Sequence, residues 1–139
     1  MNIKRIGNII LEVKDLDTSI KFYHDILGMP IKNERRNWVD LGQQSGGTLS
    51  LHPASITTSH TSTSKENGIL IGLTIGDLTS AVDELTEANI EIFRDVQERQ
   101  AGKNVIILDP DGYMISLFEP NFSENKDKQT SGYAGFTPE

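Results

Sequence analysis

Several residues of the sequence have side chains suited to acid–base chemistry, metal binding or aromatic recognition. His52 and Glu12 could bind a divalent metal together, and His52 could instead shuttle a proton with Asp40. Two strong donors make a poor metal site, because protein metal centres generally have three or more protein ligands. Trp38, the single tryptophan, could stack on a flat ligand or could fill core volume. The residue types alone leave these alternatives open.

Short hydroxyl side chains occupy the middle of two predicted strands. In DPDGYMISLFEP (residues 109–120) a turn precedes a strand-like alternation that places Ser116 between Met114 and Phe118 on one face. Ser50 takes the corresponding place in the segment TLSLH. Each hydroxyl could contact a ligand, or could simply be small enough to let opposite walls approach.

The elements that position these residues occur twice. The segment NIILEVKDLDTSI (8–20) aligns with LIGLTIGDLTSAV (70–82), and residues 49–51 align with residues 115–117. Each copy has the pattern of an alternating strand, a helix and then three further strands. The sequence therefore predicts one strand–helix–three-strand unit that is used twice.

The helix ends are marked in both copies. Asp15 and Asp77 are placed to cap the two helices, and Gly28 and Asn89 are placed to end them. Apolar residues that repeat at the spacing of one helical face follow the first cap, namely Leu16, Ile20, Tyr23 and Leu27.

The composition excludes several classes of protein. The chain has 139 residues, a formal net charge of −7 and no cysteine. Nucleic acids and anionic membranes are poor partners for it, because phosphate binding relies on clustered Lys and Arg. Disulfides and thiolate ligands are excluded, and no apolar run approaches the roughly 20 residues that span a bilayer. We therefore expect a cytoplasmic protein that has neither nucleic acid nor a membrane as its partner.

Changes in composition along the chain suggest its organisation. Residues 53–67 are rich in Ser and Thr and have little to bury, and the residues after Pro120 are polar. Arg94, Gln97 and Arg99 follow the second helix and could close one side of a binding site, but a solvated loop is the preferred interpretation. The predicted organisation is a single domain over 1–120, with module 1 at 1–52, a linker loop at 53–67, module 2 at 68–120 and a tail at 121–139.

The segments LEVKDLDTSIKFYHDILGMPI and ILDPDGYMISLFEP resemble the vicinal oxygen chelate superfamily, which includes glyoxalase I, bleomycin-resistance proteins and extradiol dioxygenases. The resemblance covers residues 6–120 and is closest in type to the metal-free, bleomycin-resistance-like members. It implies an α+β fold of two tandem βαβββ modules, whose curved sheets form a cup with the helices outside. It also implies a homodimer.

The resemblance further implies where metal ligands would lie. In metal-dependent members they come from the start of each module's first strand and the middle of its last strand. Those places correspond here to Asn8, Ser50, Leu70 and Ser116. None of these residues provides the imidazole, carboxylate or thiolate donors that hold Zn²⁺ or Ni²⁺. We therefore predict no metal and no other cofactor.

If the inward face of the family is retained, aromatic, thioether and polar side chains line the cup, which is typical of small-molecule pockets. The predicted ligand-binding residues are Asn8, Glu12, Trp38, Asp40, Ser50, His52, Met114, Ser116 and Phe118. The preferred function is metal-free binding of a small aromatic or cationic molecule, of the sequestration or resistance type, with no catalytic residue predicted. The alternative is a glyoxalase-like lyase or dioxygenase-like metalloenzyme that uses His52, Glu12 and Glu119, although Glu119 falls on the opposite strand face from Ser116.

Overall fold

The chain forms two compact units, each built on one sheet. The computed structural model describes residues 1–54 and 68–121. The two units are Met1–His60 and Thr61–Glu139, and they contain the predicted modules 1 and 2, whose names we keep. The predicted linker from residue 55 onwards and the predicted tail from residue 122 onwards lie outside the described residues.

Module 1 has the predicted βαβββ order. Its sheet has the strand order β1-β4-β3-β2, with β1 parallel to β4 and the other pairs antiparallel. Helix α1 contacts β4. The elements are β1 (Ile9–Val13), α1 (Leu16–Ile20), a π-helical continuation (Lys21–Ile26), β2 (Ile31–Arg35), β3 (Trp38–Leu41) and β4 (Leu49–Pro53).

Module 2 repeats this arrangement. Its sheet has the order β5-β8-β7-β6, again with one parallel pair, β5 and β8. Helix α2 contacts β7 and β8. The elements are β5 (Ile71–Thr74), α2 (Leu78–Glu87), β6 (Ile92–Arg99), β7 (Gly102–Leu108) and β8 (Met114–Pro120).

The register of the two parallel pairs confirms the internal repeat. Ile9 pairs with Leu49 in module 1, and Ile71 pairs with Ile115 in module 2, so the residues aligned in the sequence occupy equivalent ladder positions. The prediction of an α+β fold made of two tandem βαβββ modules is confirmed.

The predicted helix ends are also confirmed. The Asp15 carboxylate accepts the backbone N–H groups of Asp17 and Thr18, and the Asp77 carboxylate accepts that of Ser80. Gly28 and Asn89 have φ angles of +80° and +59°, the left-handed conformation that ends helices. Local sequence therefore sets where both helices begin and end.

The predicted buried face of the first helix is only partly correct. Tyr23 is buried, but the other buried side chains are Ser19 and Phe22, whereas Leu16, Ile20 and Leu27 are only half-buried. After Ile20 the helix widens into a π-helix, in which the Leu27 N–H donates to the Phe22 carbonyl five residues back. The wider turn replaces the period of 3.6 residues on which the prediction relied.

The prediction of a solvated loop around Arg94, Gln97 and Arg99 is wrong, because these residues lie in strand β6. Strand β6 pairs with β7, but the register shifts between Ile92 and Arg94 and again between Arg94 and Gln97. Bulges of this kind break the alternation of apolar and polar residues by which a strand is detected in a sequence.

Each module has its own apolar core. Both helices contact their sheets, and the strands contribute Leu, Ile and Val side chains to the cores. The fully or almost fully buried members are Val13, Tyr23, Val39, Leu41 and Leu51 in module 1, and Leu78, Leu85, Val105, Ile107 and Ile115 in module 2. Within the described residues, no helix combines the length and apolar character needed to cross a lipid bilayer.

Glu119 of β8 stabilises the beginning of helix α2. Its Oε1 atom accepts the backbone N–H of Leu78 at 2.7 Å, and a carboxylate there also interacts favourably with the helix dipole. We expect Glu119→Ala to lower the free energy of unfolding by about 1–2 kcal/mol. Glu119→Gln should retain most of that stability, because the amide oxygen can still accept the bond. Urea unfolding measures both variants, and equal stability of all three proteins would contradict this role.

Candidate ligand-binding site

Three strands of module 1 bring its predicted site residues together. Strand β4 lies between β1 and β3, so that Ser50 is paired with Ile10 on one side and with Asp40 on the other. Two positions further along β4, His52 is paired with Glu12. Side chains two residues apart on a strand share a face. The side chains of Glu12, Trp38, Asp40, Ser50 and His52 therefore lie on one surface of the three strands, which we call the β4 face.

A chain of hydrogen bonds crosses the β4 face. The Asn8 amide Nδ2 donates to the Ser50 hydroxyl at 2.9 Å, and the Ser50 hydroxyl donates to Asp40 Oδ1 at 2.6 Å. The indole Nε1–H of Trp38 donates to the same carboxylate oxygen at 2.7 Å. Ser50 is fully buried, so its hydroxyl is part of the folded structure as well as of the candidate site. The structure thus places Trp38 and Asp40 on the same strand face as Ser50.

Asp40 is held in its charged form. Its burial alone would raise the pKa of the carboxyl, but the hydrogen bonds from Ser50 and Trp38, the positive charge of Arg35 and a hydrogen bond from Asn33 together outweigh burial and lower the pKa. Asp40 is therefore a fixed negative charge at neutral pH.

Trp38 has charged or ionisable neighbours on the same face. The His52 ring lies with its centroid 5.8 Å from that of Trp38, and the Arg35 guanidinium lies 5.6 Å from the Trp38 ring centroid. His52 Nδ1 is 3.4 Å from the Glu12 carboxylate, and the side chains are 39% and 36% exposed. A pair this exposed contributes little to stability. Of the two partners suggested for His52 by the sequence, the structure places Glu12 beside it. The other, Asp40, is hydrogen-bonded to Ser50 and Trp38.

The predicted site residues of module 2 are less accessible than those of module 1. Ser116 and Phe118 are buried and Met114 is half-buried. The Ser116 hydroxyl accepts a 2.8 Å hydrogen bond from Nδ2 of Asn104, which is itself buried. Arg94 Nη2 in turn donates to Asn104 Oδ1 at 3.4 Å.

Asn104 was missed in the sequence, whereas Arg94 was named there but assigned to a solvated loop. Asn104 had a detectable signal, since it is an amide directly before the apolar strand segment VIIL. The strand position of Arg94 could not be detected, because the register shifts of β6 break the alternation.

The residues at the four places implied for metal ligands do not fit a divalent cation. Asn8 donates its amide N–H to the Ser50 hydroxyl, and Ser50 donates its proton to Asp40, so both groups are already engaged in hydrogen bonds within module 1. Ser116 already accepts from Asn104, and Leu70 has no donor atom. In residues 1–54 and 68–121 no group of three or more His, Cys, Asp or Glu side chains is placed to hold a metal. Glu119, the third ligand of the alternative metal site, accepts the Leu78 N–H instead.

The sequence matches a family model along nearly its whole described length. The model is that of the Glyoxalase/Bleomycin resistance protein/Dioxygenase superfamily, and it matches residues 5–117. The chain belongs to this superfamily. The resemblance seen in the sequence motifs is thus confirmed at the level of the superfamily.

Curated relatives in this superfamily include proteins named as lyases and one named for virulence. A probable lactoylglutathione lyase of Vibrio parahaemolyticus is 29% identical over 128 residues, which cover 83% of this chain and 90% of the relative. Virulence protein STM3117 of Salmonella typhimurium is 28% identical over 125 residues, with 84% and 85% coverage.

Solved structures in the superfamily share the fold. A glyoxalase/dioxygenase from Nostoc punctiforme superposes with a TM-score of 0.69 at 21% identity, covering 87% of this chain and 94% of the other. The antibiotic binding protein TnmS3 from Streptomyces sp. CB03234 gives a TM-score of 0.67 at 18% identity, with 87% and 99% coverage. At these identities the likeness concerns the fold alone.

Proposed function

We propose that the protein binds a small aromatic or cationic molecule on the β4 face of module 1, without a metal ion, as a sequestration or resistance protein does. The observation that supports this most strongly is the hydrogen-bond chain that joins Trp38 and Ser50 to an ionised Asp40. It supplies a fixed aromatic ring beside a fixed negative charge.

The geometry of Trp38 favours recognition over simple packing. Its indole N–H is bonded to Asp40 and its side chain is only half-buried. A ring that is already held in place loses little conformational entropy when a ligand stacks on it. A role in packing alone would predict a fully buried ring, as is found for Tyr23.

The charges around Trp38 favour a cationic ligand. Asp40 and Glu12 place two carboxylates on the β4 face, and the protein as a whole has a net charge of −7. The Arg35 guanidinium lies near the Trp38 ring centroid, so a cation in that region is compatible with the local electrostatics. A ligand cation would replace Arg35 at the ring.

The test uses benzyltrimethylammonium as an aromatic cation and benzyl alcohol as its neutral counterpart, titrated by calorimetry into metal-free protein. Fluorescence provides a second signal, because Trp38 is the single tryptophan. We expect Trp38→Leu to weaken binding of the cation by about tenfold or more, which corresponds to loss of an aromatic and cation–π contact. Trp38→Phe should have a smaller effect, because the ring remains.

A matched charge control completes this test. Glu12→Gln should weaken binding of the cation and leave binding of benzyl alcohol unchanged, because only the charge is removed. Binding that is indifferent to Trp38→Leu, or that requires added Zn²⁺ or Ni²⁺, contradicts the proposal.

The second candidate function is a metal-dependent lyase or a dioxygenase-like reaction, and it is favoured by the relatives that are named lactoylglutathione lyases. Within the described residues it would have to use His52 and Glu12, whose atoms are 3.4 Å apart. Metal analysis and an assay of lactoylglutathione lyase activity with added Zn²⁺ or Ni²⁺ distinguish the candidates. Activity that is lost in His52→Ala favours the lyase.

A further inference from the structure

Arg94 of module 2 is a half-buried cation that is weakly held. Its Nη2 atom donates to Asn104 Oδ1 at 3.4 Å, close to the upper limit for a hydrogen bond. Its Nε atom is buried and has no hydrogen-bond partner, the one such side-chain atom found in the described part of the chain. Buried donors are normally paired, so the guanidinium in this pose has an N–H donor that lacks an acceptor.

Arg94 also lacks a counter-ion. No carboxylate in residues 1–54 and 68–121 forms an ion pair with it. A guanidinium remains charged at all ordinary pH values and offers five N–H donors in a planar fork. A partly desolvated cation of this kind is stabilised when an oxyanion supplies the missing acceptors.

Asn104, the hydrogen-bond partner of Arg94, is held in one orientation. Asn104 is buried and donates through Nδ2 to the buried Ser116 hydroxyl at 2.8 Å. Its amide oxygen is thereby directed toward Arg94. Asn104 is thus placed as a residue that positions Arg94, in the way that functional sites use a second residue to orient the one that contacts the ligand.

We propose that Arg94 is the anchor of an oxyanion-binding subsite in module 2, which accepts the carboxylate or phosphate group of a small molecule, and that Asn104 is its positioning residue. In the resting pose the Nε atom is inaccessible, so binding involves a rotation of the Arg94 side chain. That rotation breaks only the 3.4 Å bond to Asn104. The subsite goes beyond the proposed function, since it lies in the other module and selects the opposite charge.

The test observes the guanidinium directly. Benzoate and inorganic phosphate are titrated separately into ¹⁵N-labelled full-length protein, and sodium chloride at equal ionic strength serves as the blank. The arginine Nε–Hε signal that disappears in Arg94→Lys identifies Arg94. We expect this signal to shift saturably with benzoate, with phosphate or with both, and the arm that responds identifies the oxyanion.

Arg94→Lys keeps the charge but removes the fork, so the affinity for the responding oxyanion should fall about tenfold or more. Arg99→Lys is the matched control, because Arg99 lies on the same strand but donates to Gln97 at 3.0 Å. It should bind like the wild type. Asn104→Ala should weaken binding less than Arg94→Lys does, because it removes the positioning bond and leaves the guanidinium.

Several results would overturn the subsite. The Arg94 signal could fail to shift in the wild-type protein, chloride could shift it equally, or Arg94→Lys and Arg99→Lys could lose affinity alike. If Arg94→Lys fails to fold, triple-resonance assignment of the wild-type protein identifies the Arg94 signal, and the wild-type titration still decides the matter. Its outcome is independent of benzyltrimethylammonium binding to module 1.

Discussion

Gly102→Ala is expected to lower the free energy of unfolding by about 3 kcal/mol or more, through overpacking and backbone strain together. A Cβ atom at Gly102 would collide with the Glu119 carbonyl oxygen and would lie 2.7 Å and 2.9 Å from Cζ and Cε1 of Phe118. The carbonyl belongs to backbone, and Lys103 is paired with Glu119 in the β7–β8 ladder. Gly102 also has a φ of +156°, which side chains of L residues rarely adopt.

The matched control is Gly76→Ala in the same module. A Cβ atom there would meet nothing within 4 Å, and no positive φ is involved. Its stability should therefore change by less than about 1 kcal/mol, with a slight gain expected from the less flexible unfolded chain. Urea unfolding followed by circular dichroism measures both variants. Equal stability of the two would show that β8 can move away from Gly102, and would contradict the tight packing of Phe118 against β7.

The features that the sequence predicted correctly are set by neighbouring residues. Asp15 and Asp77 accept hydrogen bonds from N–H groups two or three residues away. Gly28 and Asn89 adopt positive φ angles, which glycine allows because it has no Cβ atom and asparagine tolerates. The Asp109 turn is equally local, since its carboxylate accepts from residues 111 and 113. Local signals of this kind, present in both copies, made the order of the elements predictable.

The features that could not be predicted depend on contacts between distant residues. Glu119 accepts from Leu78, 41 positions earlier, whereas the sequence suggested Glu119 only as a ligand of the alternative metal site. The link from Arg94 to Asn104 depends on how the bulged strand β6 lies against β7. Strand alternation specifies the face on which a side chain lies, but it does not specify which polar partner on the neighbouring strand will bond to it.

In both modules the hydroxyl at the middle of the last strand is hydrogen-bonded to the antiparallel neighbour. Ser50 donates to Asp40, whereas Ser116 accepts from Asn104. Both hydroxyls are fully buried, and a buried hydroxyl without a partner would be costly. The places that correspond to metal ligands are thus integrated into the sheets. Substituting a single metal-binding side chain there would break these bonds as well as add a donor.

Asp40→Ala is expected to lower the free energy of unfolding by about 2–4 kcal/mol at pH 7, because it leaves the Ser50 hydroxyl and the Trp38 N–H without their acceptor. Asp40→Asn should cost less, because the amide oxygen can still accept while the charge is lost. The two variants therefore separate the hydrogen bonds from the charge, and both should weaken binding of benzyltrimethylammonium.

The pH dependence follows from the lowered pKa of Asp40. A carboxyl whose pKa is lower in the folded state stabilises the protein above its ordinary pKa of 3.8, and this contribution is lost as the pH falls through the folded-state value. The stability difference between wild type and Asp40→Asn should therefore shrink as the pH falls from 6 toward and below that value, measured by urea unfolding at each pH. Asp83→Asn, an exposed position on α2, controls for general charge effects and should show no such trend. A difference for Asp40→Asn that stays constant with pH would mean that folding does not lower the pKa of Asp40, and would contradict the stabilised carboxylate on which the proposed cation site depends.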